Sequence, residues 1–314
     1  MRTLDIFCGG GGSSYGARAA NAEIIGAIDM SEVATATFRH NFPDAIVKTS
    51  KLEDIVLSEF HEEVGNIDLL LASPECTNHT CAKGSAPRSE KSRATAMQAI
   101  RFAKEFNPRW IILENVVHMR PWSRYNELKN ELMRLGYNLK ELVLDASDFG
   151  VGQNRRRLFV VCDKEAEPAN ILPTSNLKAP TIESLLDESG TWRTSPLYKE
   201  GRAAATLERA ERGFSEIGKD SPFLVVYYGT DGSGGWQRID RPLRTITTVD
   251  RFALITPEKN GHRMRMLQVP ELQRAMGFGD DYELTKGSRR DKIRILGNGV
   301  CPPVMESIVS SLQG

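Results

Sequence analysis

Leu4-Asp5-Ile6-Phe7-Cys8-Gly9-Gly10-Gly11-Gly12-Ser13-Ser14 is the stretch whose reading decides the fold. Leu4 to Phe7 reads as a short strand, and the glycines form a tight turn. Tyr15 to Asn21 then reads as a helix, and Glu23 to Ile28 as a second strand ending in Asp29. Strand, Gly-rich turn, helix, strand and terminal acid make a nucleotide-binding βαβ pattern. The glycines let backbone approach a ligand closely, and the helix N-terminus favours negative charge. The dinucleotide spacing G-x-G-x-x-G is not met, because Ser14 follows Gly9-x-Gly11 and Tyr15 follows Gly10-x-Gly12. That leaves a nucleoside cofactor without a pyrophosphate, with Asp29 placed to bond ribose hydroxyls.

Working outward, each further apolar run ends in polar residues. Glu32 to Asn41 reads as a helix and Ala45 to Lys48 as a strand, after which Asp54 either meets an adenine amino group or caps a helix. Ile67 to Ala72 reads as a buried strand that stops at Pro74 and delivers Cys76 to the carboxyl edge of a sheet. A thiol there is a nucleophile once a neighbour favours its thiolate, although a lone cysteine is more often a structural one. Trp110 to Leu113 is a second buried strand and ends in Glu114-Asn115-Val116. A strand over Leu139 to Leu144 precedes Gln153-Asn154-Arg155-Arg156-Arg157, where alternation puts Arg155 and Arg157 on one face, converging on one site. The polar stretch Lys83 to Arg93 carries Lys83, Arg88, Lys91 and Arg93 against a single acid, Glu90. It reads as a loop that closes on a polyanion, or as a solvated loop.

The bulk composition limits the choices. The 314 residues carry 41 basic and 41 acidic side chains, so nucleic-acid binding has to come from local basic patches. The five cysteines are scattered and odd in number, which suits a reducing compartment better than a disulfide framework. No signal-peptide pattern and no apolar run of about 20 residues is present, so we expect a soluble, cytoplasmic protein with no membrane partner. Cys76, His79 and Cys81 are too crowded for a zinc site and have no second pair, so no metal is expected.

Composition shifts after about Asp163 toward Pro, Glu, Asn and Ser. We therefore expect a domain boundary there, with one unit over residues 1–165 plus 291–314 and a second over 166–290. In the latter, Phe223 to Tyr228 reads as a strand, Gly229 to Gly235 as a Gly-rich loop and Pro270 to Met276 as a helix. Tyr227, Tyr228, Trp236 and Arg238 are candidates for groove contacts or for plain packing.

The ordered set of motifs resembles the DNA (cytosine-5)-methyltransferase family. The segment from Asp5 to Gly12 is similar to its cofactor loop, and Cys76 stands at its nucleophile position. Glu114-Asn115-Val116 is similar to its Glu-Asn-Val motif, and Gln153, Arg155 and Arg157 to its Gln-x-Arg-x-Arg motif. Arg241-Pro242 with Thr245 and Thr247, the run from Pro270 to Asp281, and Gly297-Asn298-Gly299-Val300 resemble later motifs in family order. The chain departs from the pattern at Glu75, where the family has proline, and at Thr77, where it has glutamine. Glu75 adds negative charge beside a thiol that has to ionise.

The resemblance implies a doubly wound, mostly parallel α/β sheet of Rossmann type with a smaller recognition domain. It implies Cys76 as the nucleophile on C6 of a flipped-out cytosine, with Glu114 holding N3 and the exocyclic amine. Arg155 and Arg157 would bind the O2 side. S-adenosyl-L-methionine would be the methyl donor, held by Phe7, Gly9, Gly11, Asp29, Met30, Asp54, Asn298 and Val300. Lys83, Arg88, Lys91, Arg93 and Gln153 would meet duplex DNA. A monomer is the expected form, with a cognate restriction enzyme as a candidate partner. The alternatives are a tRNA cytosine-C5 methyltransferase and a catalytically silent DNA-binding relative.

Overall fold

A computed structural model describes residues 1–74, 94–171, 178–228 and 232–313. Among them, seven strands form the larger sheet: β1 (Arg2–Ile6), β2 (Glu23–Asp29), β3 (Ile46–Thr49), β4 (Leu69–Ala72), β5 (Trp110–Asn115), β6 (Asn138–Asp145) and β7 (Arg156–Asp163). Their order is β3-β2-β1-β4-β5-β7-β6. The first five run parallel, and β7 lies antiparallel between β5 and β6. This is the doubly wound, Rossmann-like α/β fold.

Burial on both faces explains why β4 is an unbroken apolar run. Leu69 and Leu71 face one core, with Ile112, Phe159, Val304, Met305 and Ile308. Leu70 and Ala72 face the other, with Phe102, Phe106, Ile111, Leu113 and Leu132. Period-two alternation therefore sends neighbouring residues into opposite cores. The chain leaves β1 toward β2 and β3 and returns to β4 on the other side, so the topological switch point lies between β1 and β4. Ligands bind such sheets in the crevice beyond the strand ends at that point.

The smaller sheet holds β8 (Ser195–Pro196), β9 (Phe223–Val226), β10 (Trp236–Arg238), β11 (Phe252–Glu258) and β12 (Gly261–Met266), in the antiparallel order β10-β9-β11-β12-β8. The helix Ala204–Ile217 covers one face, packing Ala210 and Phe214 against Phe223, Val225, Ala253 and Ile255. The alternate residues Leu224, Val226, Phe252 and Leu254 join the core of the larger sheet. The two sheets thus share apolar packing.

That helix and the hairpin β11–β12 go beyond the sequence reading. Leu207, Ala210, Phe214 and Ile217 do recur at helical spacing, but five charged residues, Glu208, Arg209, Glu211, Arg212 and Glu216, lie between them and no capping side chain marks the start. Elsewhere the read elements match in kind. The strand read over Phe223 to Tyr228 ends at Val226, and a 3-10 turn, Ala94–Met97, leads into the helix Gln98–Phe106.

Candidate active site

At the carboxyl end of β1 the chain turns sharply. Phe7 has φ 59, Gly9 φ 52 and Gly11 φ 95. A left-handed conformation is uncommon for a phenylalanine and signals a site where surrounding structure overrides preference. A Cβ added at Gly9 would meet nothing within 4 Å, so that glycine borders open space. Asp29 ends β2 beside it. Its Oδ2 accepts from the Gly9 amide at 2.9 Å and its Oδ1 from the Ser31 amide at 2.8 Å. Each carboxylate oxygen retains a second lone pair for a ribose hydroxyl. Burial raises the Asp29 carboxyl above its ordinary pKa, against the amides of Ser31 and Gly9, which lower it. Met30 follows, 71% exposed, as an apolar platform. Asp54 closes the 3-10 turn Leu52–Asp54 with an exposed side chain. Glycine-lined space, a strand-end acid and an exposed apolar platform fit a nucleoside-bearing cofactor.

The Gly297–Val300 turn reaches this loop from the far end of the chain. Asn298 is the exposed last residue of the helix Arg289–Asn298, whereas Val300 is buried. A Cβ on Gly12 would stand 2.5 Å from the Val300 carbonyl oxygen, so only glycine allows the two backbones to meet. Tyr282 donates its hydroxyl to the Gly10 carbonyl at 2.7 Å.

On the other side of the switch point, Glu114 and Asn115 end β5. Asn115 Nδ2 donates to the Pro74 carbonyl at 3.0 Å, fastening the end of the segment that leads to Cys76. Because β7 is antiparallel, its first residues lie at this same edge. Arg157 Nε stands 3.3 Å from Glu114 Oε1, and both side chains are largely buried. Burial raises the Glu114 carboxyl, while the guanidinium groups of Arg157 and then Arg155 oppose the rise. The pair can present a carboxyl and a guanidinium to one planar, polar ligand.

Gln153 takes a different position from the one expected. Gln153 is fully buried: Nε2 donates to Met276 Sδ at 2.9 Å and Oε1 accepts from the Ile246 amide at 2.7 Å. It ties the site to the segment after Leu243 and does not reach a DNA surface. Arg155 is 3% exposed and donates to three carbonyls, those of Ile246 (2.9 Å), Gly297 (2.7 Å) and Gly299 (2.9 Å). Burial alternates along this segment, with Gln153, Arg155 and Arg157 turned inward and Asn154 and Arg156 exposed, and the charges of both Arg157 and Arg155 act on Glu114. Cys76, Glu75, Thr77, His79, Lys83, Arg88, Lys91 and Arg93 lie outside the described residues.

Asp5 carries more than its place in a motif suggested. It is completely buried, its Oδ2 accepts from Ser14 Oγ at 2.7 Å, and its Oδ1 has no partner among the described residues. Burial pushes its carboxyl up to about 7, helped by the charge of Asp29 and opposed by Ser14. An acid at the centre of an apolar strand is the available signal. Among the recognition candidates, Tyr228 donates to the Thr245 carbonyl at 2.7 Å and Arg238 pairs with Asp240 at 2.9 Å. Cys8, Cys162 and Cys301 are all buried, as expected of structural thiols.

The C-5 cytosine-specific DNA methylase family matches residues 1–314. The Type II methyltransferase M.HgiDI of Herpetosiphon aurantiacus is 32% identical over 327 residues, covering 100% of this chain and 94% of that protein. M.AgeI of Thalassovita gelatinovora is 31% identical over 167 residues, 51% of this chain, and that match spans 39% of its own length. The solved structure of a DNA modification methyltransferase encoded within an E. coli prophage superposes with a TM-score of 0.72 at 19% identity, covering 100% of this chain and 98% of that one.

Proposed function

The chain belongs to the C-5 cytosine-specific DNA methylase family, and from that premise we propose how its own residues transfer a methyl group to C5 of cytosine in DNA. Cys76 attacks C6 of a cytosine turned out of the duplex, because a stacked base cannot enter such a site. Glu114 holds N3 and the exocyclic amine as charge develops on the ring, and Arg157 holds the O2 side. C5 becomes electron-rich by this addition. S-adenosyl-L-methionine supplies the electrophilic methyl group when bound. Loss of the C5 proton then expels Cys76 and leaves 5-methylcytosine. Phe7, Gly9, Gly11, Asp29, Met30, Asp54, Asn298 and Val300 hold the cofactor, and Lys83, Arg88, Lys91 and Arg93 bind phosphates.

The observation that carries this reading is the Glu114–Arg157 pair, set at adjoining strand ends beside the Asn115 tie to Pro74. A carboxyl and a guanidinium are thereby aimed at the strand edge two residues before Cys76. Residues 166–290 read the target sequence, and the enzyme works as a monomer in the cytoplasm beside an endonuclease of the same specificity. No helix among the described residues is long and apolar enough to cross a membrane.

The test is transfer of label from methyl-labelled cofactor to long, unmethylated genomic DNA, with bisulfite sequencing to locate the product. The expected result is label in 5-methylcytosine, abolished by Cys76→Ala while DNA binding survives. Label in tRNA and none in any duplex DNA would overturn the proposal.

A further inference from the structure

The buried guanidinium of Arg155 joins three stretches that are far apart in the chain. Its own backbone is fixed first: the Arg155 amide donates to Asp145 Oδ1 at 2.8 Å, and its carbonyl accepts from the Ala146 amide at 3.1 Å. From that anchor, Nη1 reaches the Ile246 carbonyl, while Nη2 reaches those of Gly297 and Gly299. Gly297 and Gly299 bracket Asn298. The strand-preceding segment is also tied to the Leu243–Ile246 stretch by Leu243 N to Gly152 O (2.8 Å), Asn154 N to Leu243 O (2.8 Å) and Thr245 Oγ1 to Asn154 O (2.8 Å). A Cβ on Gly297 would stand 2.4 Å from the Thr247 carbonyl carbon and oxygen, so the two backbones touch directly.

We infer that Arg155 is a positioning residue that locks the Asn298 turn, and so the cofactor pocket, to the Thr245–Thr248 segment feeding the smaller sheet. It is not the residue that contacts the base. This rests on the reading of Asn298 as a cofactor contact. Three of the five N–H donors of this guanidinium, which is 3% exposed, are held by the carbonyls of Ile246, Gly297 and Gly299, so those backbones fix its place and orientation. Arg157, two residues on and facing Glu114, has no such commitment to those carbonyls. The three acceptors suit only a planar fork of donors. A lysine keeps the charge but presents a point donor that cannot span them. Ligand binding at one end of such a lock is felt at the other, and the coupling is reciprocal for binding affinities.

The discriminating experiment uses S-adenosyl-L-homocysteine binding to the free protein by calorimetry, with steady-state transfer to genomic DNA. Arg155→Lys is expected to weaken binding about tenfold or more, since charge-assisted hydrogen bonds are lost. The cofactor KM rises with it, by far more than kcat falls at saturating cofactor. Arg157→Lys is expected to show the reverse split, losing kcat with little change in affinity. Arg155→Lys that binds like wild type, or that loses only kcat, overturns the inference. Asn298→Ala with full affinity overturns instead the cofactor reading beneath it, and the inference with it. A second measurement needs no variant: on adding S-adenosyl-L-homocysteine to wild type, amides of 245–248 and 297–300 gain hydrogen-exchange protection together. Protection confined to 297–300 overturns the lock.

Discussion

Arg157 Nε lies 3.3 Å from Glu114 Oε1, across the boundary between two antiparallel strands and at the edge where parallel strands also end. Burial raises the Glu114 carboxyl, and the Arg157 guanidinium opposes the rise. Removing one side of a buried pair leaves an uncompensated charge, which is costlier than the pair itself. We expect Glu114→Gln and Arg157→Met each to lower methyl transfer by about 10²-fold or more, by loss of preorganised groups facing the base. Label transfer at saturating cofactor measures this. Either variant retaining wild-type kcat removes that residue from the chemistry.

Asp5 makes stability depend on pH in a stated direction. Its carboxyl is raised from 3.8 to about 7 in the folded chain. Between those values the unfolded chain is ionised while the folded one holds the proton, so stability falls as pH rises through that window and levels off above it. A rise from 3.8 to about 7 corresponds to a ceiling of about 4 kcal/mol. Asp5→Asn cannot titrate, so its melting temperature should gain on wild type from pH 5 to pH 7 and keep a constant offset beyond. Parallel melting curves at every pH would refute the assignment.

Gly12→Ala drives a methyl group against the Val300 carbonyl at 2.5 Å. Both contacting groups are backbone, so neither can swing aside. The expected cost is about 1 to 3 kcal/mol by overpacking, with weaker S-adenosyl-L-homocysteine binding in the same variant. Chemical denaturation and calorimetry check the two effects, and an unchanged affinity would separate this contact from the cofactor site.

Arg265 and Glu271 form a two-pronged pair at 2.6 and 2.7 Å that joins β12 to the helix Val269–Ala275. Glu271 also accepts from the amides of Gln268 (2.6 Å) and Asp187 (3.0 Å), with its side chain 1% exposed. Glu271→Ala should therefore lower stability by about 3 to 5 kcal/mol. A loss under about 1 kcal/mol in urea unfolding would show that the pair is dispensable.

Periodicity and punctuation made the larger sheet legible. Unbroken apolar runs at Leu69–Ala72 and Trp110–Leu113 mark strands covered on both faces, and the polar residues after them mark the working edge. The smaller sheet was harder to read. Its strands alternate between two cores, its longest helix has a mostly charged outer face, and its β8–β12 and β9–β11 pairings join distant segments.

The amino-acid sequence by itself determined the fold class, the cofactor loop and the identity of the polar groups at each strand end, because local pattern carries that information. Tertiary structure alone decided which of those groups face one another. Arg155 and Arg157 are two residues apart in similar letters, yet one binds three carbonyls from residues 246, 297 and 299 while the other meets Glu114. Asp5 looks like any motif acid until burial removes its water. Side-chain chemistry is written locally, but its partners and its solvation depend on contacts between residues as much as 293 positions apart, as between Ala20 and Gln313.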